Sequence, residues 1–334
     1  MANNNLISID LAKRVMQVRE ATRNGKEIFN KKVYREELLR TVLQSNSTIV
    51  AMESCGSAHY WGRVFREKGY EVKLVPPQFA KAYLKSQKND AADAEAIGEA
   101  ASRESMRFVS IKSEEQQEIQ SLHRIRARLV RSRTALSNEI RGIAGEFGKV
   151  IPRGFRALSR WLTKEDEGMS DRLKRTFRKM YEELVAIEEQ VSYYSKELNL
   201  FSKENDVCRR AQTVPGIGPM ISTAVYASIG RGEQFANGRC FSAWLGLVPQ
   251  QHSTGGKSRL GRISKKGDRY LRSLLVQGAI SVMQHSKRHP ENKLNLWIET
   301  LRSRKCHGKT AVAVANRIAR TLWAVMHKDE AVYI

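Results

Sequence analysis

The sequence predicts an α/β domain followed by helices: a mixed sheet flanked by helices over residues 1–110, long heptad-patterned helices over 111–204, and a mostly helical C-terminal domain over 205–334. Three observations carry this. Short apolar runs separated by turn residues fill the first 110 positions, and a seven-residue period replaces them beyond residue 114. From residue 205 onward, glycine-containing turns punctuate helical stretches. A chain of 334 residues also has the length of roughly two domains, enough for substantial cores.

The N-terminal elements follow in order. Leu6-Ile-Ser-Ile9 runs into Asp10, and Val15-Met-Gln-Val18 follows after a polar break. Asn24-Gly25 separates this from Ile28-Phe29, which reads as a hairpin and a third strand. Glu36 to Leu43 is helix-like. Thr48-Ile-Val-Ala-Met52 is a buried-type strand ending at Glu53, and His59 to Lys68 is a helix closed by Gly69. Val72-Lys-Leu-Val75 is a strand stopped by Pro76-Pro77, and Asp90 to Arg103 is an Ala-rich helix. The order βββαβαβα implies a mixed sheet with helices packed on it.

Beyond residue 114, Leu122, Leu129, Leu136 and Ile143 recur every seven residues, with Ile119, Ile140 and Phe147 at the complementary positions. Leu173, Phe177, Met180, Leu184, Ile187, Val191, Tyr194, Leu198 and Phe201 repeat the pattern at steps of four and three. Two such helices around a Pro152/Gly154 loop predict an antiparallel coiled-coil arm, half of a dimer seam, or a bundle within one domain. Arg126 and Arg133 break the seam. They belong to the acid-free run Arg124, Arg126, Arg128, Arg131, Arg133, which reads as a phosphate-contacting surface or a solvated face.

Charge narrows the partner. Lys and Arg number 58 against 35 Asp and Glu, a net +23. Residues 1–104 carry only +4, whereas residues 105–334 carry +19. A basic remainder on a near-neutral N-terminal third points to a polyanion, most simply nucleic acid; a solubility surplus or an anionic membrane surface is the alternative. No apolar stretch approaches 18 residues, so no membrane span is expected, and Met1-Ala-Asn-Asn-Asn does not begin a signal peptide. Four scattered cysteines exclude a clear zinc ribbon and fit a reducing cytoplasm.

Four acids form the first chemical pattern. Asp10 and Glu53 end strands, and Asp90 and Asp93 lie one turn apart on a helix face. With the first and fourth strands side by side and that helix across them, the carboxylates converge and repel unless a cation neutralises them. Hard oxygen donors select Mg2+ or Mn2+, the ions of phosphodiester chemistry. Individually, a strand-end Asp caps a sheet and Asp90 complements a helix dipole.

Ile7-Ser-Ile-Asp10, Met52-Glu53-Ser-Cys-Gly56 and Lys88-Asn-Asp90-Ala-Ala-Asp93-Ala together resemble the DEDD transposases of bacterial insertion sequences, relatives of the pilin-gene invertases. The resemblance covers essentially the whole chain. It implies a ribonuclease-H/Holliday-junction-resolvase-like N-terminal domain and metal binding by Asp10, Glu53, Asp90 and Asp93. It also implies double-stranded donor and target DNA as partners, a structured bridge RNA that guides the reaction, and a cytoplasmic protein found at the nucleoid when active. Strand exchange between two duplexes further implies a homodimer or homotetramer.

Two C-terminal motifs complete the reading. Thr213-Val-Pro-Gly216-Ile-Gly218-Pro-Met220, between helical segments, is a helix-hairpin-helix pattern; its glycines are expected to let backbone approach a phosphate, and a plain turn is the alternative. The stretch from His252-Ser253-Thr254-Gly255-Gly256-Lys257 through Arg259, Arg262, Lys265 and Lys266 predicts a Gly-rich basic loop gripping phosphates. The resemblance implies a serine nucleophile just ahead of that loop, linked covalently to DNA. Ser253 is the assigned residue, with Thr254 adjacent and His252 a positional contact. Two rivals remain: a junction-resolvase-like endonuclease using metal-activated water, and a non-enzymatic nucleic-acid-binding protein.

Overall fold

Alternating side chains sort the first sheet into two buried faces. The computed structural model describes residues 5–22, 24–83, 89–163, 168–288, 291–328 and 333. It divides into two units, Met1–Ser113 and Glu114–Ile334. In the first, β1 (Leu6–Asp10), β2 (Val15–Ala21) and β3 (Glu27–Tyr34) are followed by α1 (Leu38–Leu43), β4 (Ile49–Glu53), α2 (Ala58–Glu67) and β5 (Glu71–Val75). A short turn of helix, α3 (Pro77–Ala80), precedes α4 (Asp90–Ala101). The five strands lie in the order β3-β2-β1-β4-β5; β2 is antiparallel to β1 and β3, and β4 is parallel to β1 and β5. The expected mixed sheet is present, with its first and fourth strands adjacent.

Ile7, Ile9, Val50 and Met52 point to one side, into a core with Trp61 and Phe65 of α2. Leu6, Ala51 and Val75 point to the other and meet Ile97, Ala100 and Ala101 of α4. This is the two-residue period of a strand buried on both faces. Asn89 caps α4, its Oδ1 accepting from the Ala92 N–H at 2.8 Å. Gly98 lets the helix lie close, because a Cβ there would stand 3.0 Å from Ser8 Oγ.

The second unit opens with α5 (Glu114–Glu146), α6 (Phe155–Leu162) and α7 (Asp171–Glu204). Arg126 bonds Ser195 and Arg133 bonds Glu188, so partner numbers fall as α5 numbers rise and the two helices run antiparallel. Leu129, Leu136 and Ile140 pack with Leu184, Ile187 and Val191, so the heptad residues of α5 are covered by α7 of the same chain. Next come α8 (Asp206–Ala211), α9 (Pro219–Ile229) and α10 (Gly238–Trp244), then β6 (Pro249–Thr254) and β7 (Lys257–Ile263). The chain continues through α11 (Arg269–His285), α12 (Lys293–Arg304) and α13 (His307–His327). Helix α13 is rich in Ala and Val and is central to its unit, with Val314, Ala315 and Leu322 fully buried. Among the described residues, no helix is long and apolar enough to cross a membrane.

Candidate active site

Parity and register place the first two acids together. Ser8 pairs with Ala51 and Ile9 with Met52, so Asp10 and Glu53 follow one residue beyond the last pair. Both lie two residues past side chains that face α4, Ser8 and Ala51, and therefore project to that same side. Their shared field is felt at Cys55, whose thiol is pushed up by burial first and then by the negative charges of Glu53 and Asp10.

Helix α4 runs antiparallel to β1. Its C-terminal residues pack on Leu6, Gly98 lies over Ser8, and its first turn reaches the end of the strand. There Lys32 Nζ stands 3.8 Å from Asp90 Oδ2, and Asn30 donates to the Ala91 carbonyl at 3.5 Å. Lys32 pairs with Gln17, and Gln17 with Asp10, so Asp90 approaches the row of the sheet that ends in Asp10. The four-acid cluster expected from sequence is not gathered. Among the described residues, no three His, Cys, Asp or Glu side chains lie close enough to hold one metal ion. Asp90 and Asp93 sit in the first helical turn, where the helix dipole favours a carboxylate and Lys32 attracts Asp90. Lys88, which opens the third motif, lies outside the described residues.

The basic segment expected as a loop is a two-stranded hairpin. Gly255 and Gly256 adopt φ of +55° and +76°, the left-handed pair of a two-residue turn, and β6 pairs antiparallel with β7. Every residue from Pro249 to Arg262 is exposed. Pairing sorts the ribbon's faces: Ser253 lies opposite Ser258 and on the same side as Gln251, while Thr254 lies opposite Lys257 and His252 opposite Arg259. Ser253 and Thr254 are thus distinct, one on a hydroxyl-amide face and one on the basic face. Gln251 Nε2 donates to Ser253 Oγ at 2.8 Å, leaving the hydroxyl proton uncommitted by that bond. His252 is on the opposite side of the ribbon from Ser253. The ribbon is locked at its root, where Lys265 N–H donates to Gly246 O at 3.1 Å and a Cβ on Gly267 would collide with Trp244 O. Lys265 and Lys266 stand exposed there.

The arginine run divides. Arg124, Arg128 and Arg131 are exposed, but Arg126 and Arg133 are turned inward. Arg126 Nε donates to Ser195 Oγ at 2.7 Å, and Arg133 Nη1 lies 2.6 Å from Glu188 Oε2. Seam positions face the partner helix, so these two guanidiniums bind α7 instead of joining one phosphate-contacting face. At the Gly-x-Gly turn, Gly216 has φ +82°, and a Cβ there would stand 2.7 Å from Gly278 O. Close packing on α11 therefore already demands glycine at 216; Gly218, with open space at its Cβ position, forms the N-cap of α9.

Comparisons with known proteins cover both units. A model of IS110-type DEDD transposases matches residues 7–147, and the Transposase IS116/IS110/IS902 family model matches residues 208–293. A probable family 20 transposase of Pseudomonas aeruginosa is 44% identical over 328 residues, 97% of each chain. The transposase for insertion sequence element IS1111A of Coxiella burnetii is 42% identical, spanning 97% of this chain and 90% of the relative. The chain belongs to the IS110/IS116 family of transposases. The transposase for element IS1328 of Yersinia enterocolitica, 37% identical over 97% of each chain, agrees. The first model spans Asp10, Glu53, Asp90, Asp93 and the arginine run; the second spans Gly216, Gly218 and the whole ribbon.

In this transposase the residues fit a divalent cation in part. Asp10 and Glu53 supply hard oxygen donors from adjacent strand ends, and their like charges already act together on Cys55. Asp90 and Asp93 start from the same end of β1, with Lys32 beside the first. Lys32 and Gln251 were not among the residues singled out from sequence, although alternation along each strand places them on the faces of Asp10's row and of Ser253.

A third feature, His123, carries no sequence signal. It is buried in α5, with Nε2 2.9 Å from Thr223 Oγ1 and Nδ1 3.0 Å from Tyr270 Oη. Burial first, and then the nearby Arg126 charge, lowers its pKa from 6.5 to about 4. Between these values the unfolded chain binds a proton that the folded one refuses, so stability rises with pH across that window. From pH 7 to pH 4.5 the transposase is expected to lose about 2 kcal/mol more stability than a His123→Gln variant. Urea unfolding of both proteins at the two pH values measures this difference.

Proposed function

We propose that this insertion-sequence transposase binds donor and target DNA and cleaves and exchanges strands in a reaction that requires Mg2+ or Mn2+. The observation that carries the reading is the position of Asp10 and Glu53, each one residue past the last β1–β4 pair at the ends of adjacent parallel strands, on the side that α4 covers. Asp10 and Glu53 would hold the cation, and Asp90 and Asp93, which are not gathered with them here, would have to be drawn in from the first turn of that helix. Such an ion, when bound, would supply Lewis acidity for phosphoryl transfer.

The nucleophile is Ser253. Its Oγ attacks phosphorus, an Oγ–P bond forms, the P–O bond to the departing strand breaks, and the serine proton leaves to a base while the departing oxygen is protonated. Gln251, donating to Oγ, orients the hydroxyl, and Lys257, Arg259, Arg262, Lys265 and Lys266 hold backbone phosphates. The remaining turn residues Gly218, Gly255 and Gly256 bring main chain close to phosphate. Arg124, Arg128 and Arg131 hold a structured guide RNA as well as DNA, and two or four copies of the chain act together, because strand exchange joins two duplexes.

The test is a covalent adduct. Full-length protein, labelled DNA carrying the element's ends and Mg2+ are resolved on a denaturing gel. Ser253→Ala is expected to lower both adduct and cleavage by on the order of 10³-fold or more, with Thr254→Ala close to the parent. Cleavage retained without adduct in Ser253→Ala assigns attack to water; loss in Thr254→Ala alone moves the nucleophile to the basic face.

A further inference from the structure

Below the arginine stripe of α5 lies a cavity of about 240 Å³, walled by Ala127, Ala224 and Ala227, by the Tyr270 ring and, at the rim, by Arg124 and Arg131. Its polar chemistry is directional. Thr223 Oγ1 donates its single proton to the Pro219 carbonyl at 2.6 Å, so it can only accept from His123. Nε2 of His123 is then the protonated nitrogen. The ring is neutral, so Nδ1 accepts, and Tyr270 O–H is its donor. With its proton committed, any further partner of Tyr270 Oη must bring a hydrogen of its own. Asp268, also at the wall, is an acceptor that caps α11 by taking the Tyr270 and Leu271 N–H groups.

A ligand suited to this cavity is flat and apolar on its faces, carries N–H donors on its edge, and bears an anion at the mouth. We propose that it takes one unpaired nucleotide of a DNA or RNA strand, the base lying among the alanines against Tyr270 and its phosphodiester on Arg124 and Arg131. This rests on the reading of the second unit as nucleic-acid binding, and it adds a place where a base, not only a backbone, is held.

Two measurements on the full chain test it. The first compares binding of a single-stranded DNA, its RNA counterpart and the corresponding duplex to the parent and to Ala127→Leu, which fills the cavity and leaves both arginines. Base stacking of ordinary strength predicts a loss of roughly tenfold or more for single strands with duplex affinity unchanged. The second needs no variant: single strands containing 5-iodouracil are irradiated with the parent protein and the adduct is mapped by mass spectrometry. An adduct at Tyr270 supports the proposal, and its presence with DNA, RNA or both identifies the strand used. Unchanged single-strand affinity in a folded Ala127→Leu protein, or adducts only elsewhere, overturns the base site while leaving nucleic-acid binding intact. Failure of the parent to bind any of the three probes overturns the underlying reading as well.

Discussion

Substituting Asp10 by Asn, or Glu53 by Gln, is expected to reduce Mg2+-dependent strand cleavage by more than the ~10–100-fold typical of losing an outer-shell partner of a metal. Each change keeps shape and removes one negative charge from a pair that shares one side of the sheet end. Both residues are half-buried at the ends of strands whose stability comes from Ile7, Ile9, Val50 and Met52, so the fold is expected to remain. Duplex binding at fixed salt should stay within about twofold, because backbone affinity is set by cations elsewhere on the chain. Mn2+ affinity, followed by electron paramagnetic resonance, is the measurement that does not depend on turnover, and it should fall in both variants. Unaltered Mn2+ affinity and unaltered cleavage would return these acids to the role of sheet caps.

Gly216→Ala is expected to destabilise the second unit by about 3–5 kcal/mol, combining strain at a positive φ with overpacking. The new methyl would stand 2.7 Å from both Gly278 O and Val282 Cγ2, and the first of these is main chain of α11, which cannot swing aside as a side chain can. A Cβ on Gly278 would in turn strike Gly216 O, so the two glycines form one contact and neither substitution relieves the other. Gly218→Ala is the control. Its Cβ position is open and its φ is −103°, so it should cost under about 1 kcal/mol, the difference between Gly and Ala at an N-cap. Denaturant midpoints of the two variants measure the contrast. A Gly216→Ala protein with parental stability but weakened DNA binding would instead show that phosphate approach is the reason for this glycine.

The parts of this molecule visible in sequence are those governed by local periodicity. Short apolar runs at Leu6–Ile9 and Thr48–Met52, each ending in an acid, mark the strands, and the adjacency of β1 with β4 brings Asp10 and Glu53 to neighbouring strand ends. Heptad spacing identified α5 and α7, and even marked Arg126 and Arg133 as misplaced in an apolar seam. Heptad phase does not encode which residue of the facing helix stands opposite, so Ser195 and Glu188 were invisible as their partners. The ribbon is hidden in the sequence for a different reason. Gly255-Gly256 is a recognised two-residue turn, but neither flanking strand buries a face, so no apolar alternation announced them. His123 lies 100 residues from Thr223 and 147 from Tyr270, and such pairing leaves no trace in local pattern.

An isolated pair of strands in water is marginal on its own. Here the β6–β7 ribbon touches the body of its unit through a sterically filled root at Gly246 and Gly267, and everything beyond lies in solvent. Its chemistry is therefore separable from the stability of the rest. Side chains between Gln250 and Arg262 can be exchanged wholesale at a folding cost near that of ordinary surface substitutions, within about 0.5 kcal/mol each. The ribbon is in effect a replaceable tool head on a fixed shank. Grafting another ribbon onto the same root would change the surface the protein presents there without asking the helices beneath to repack.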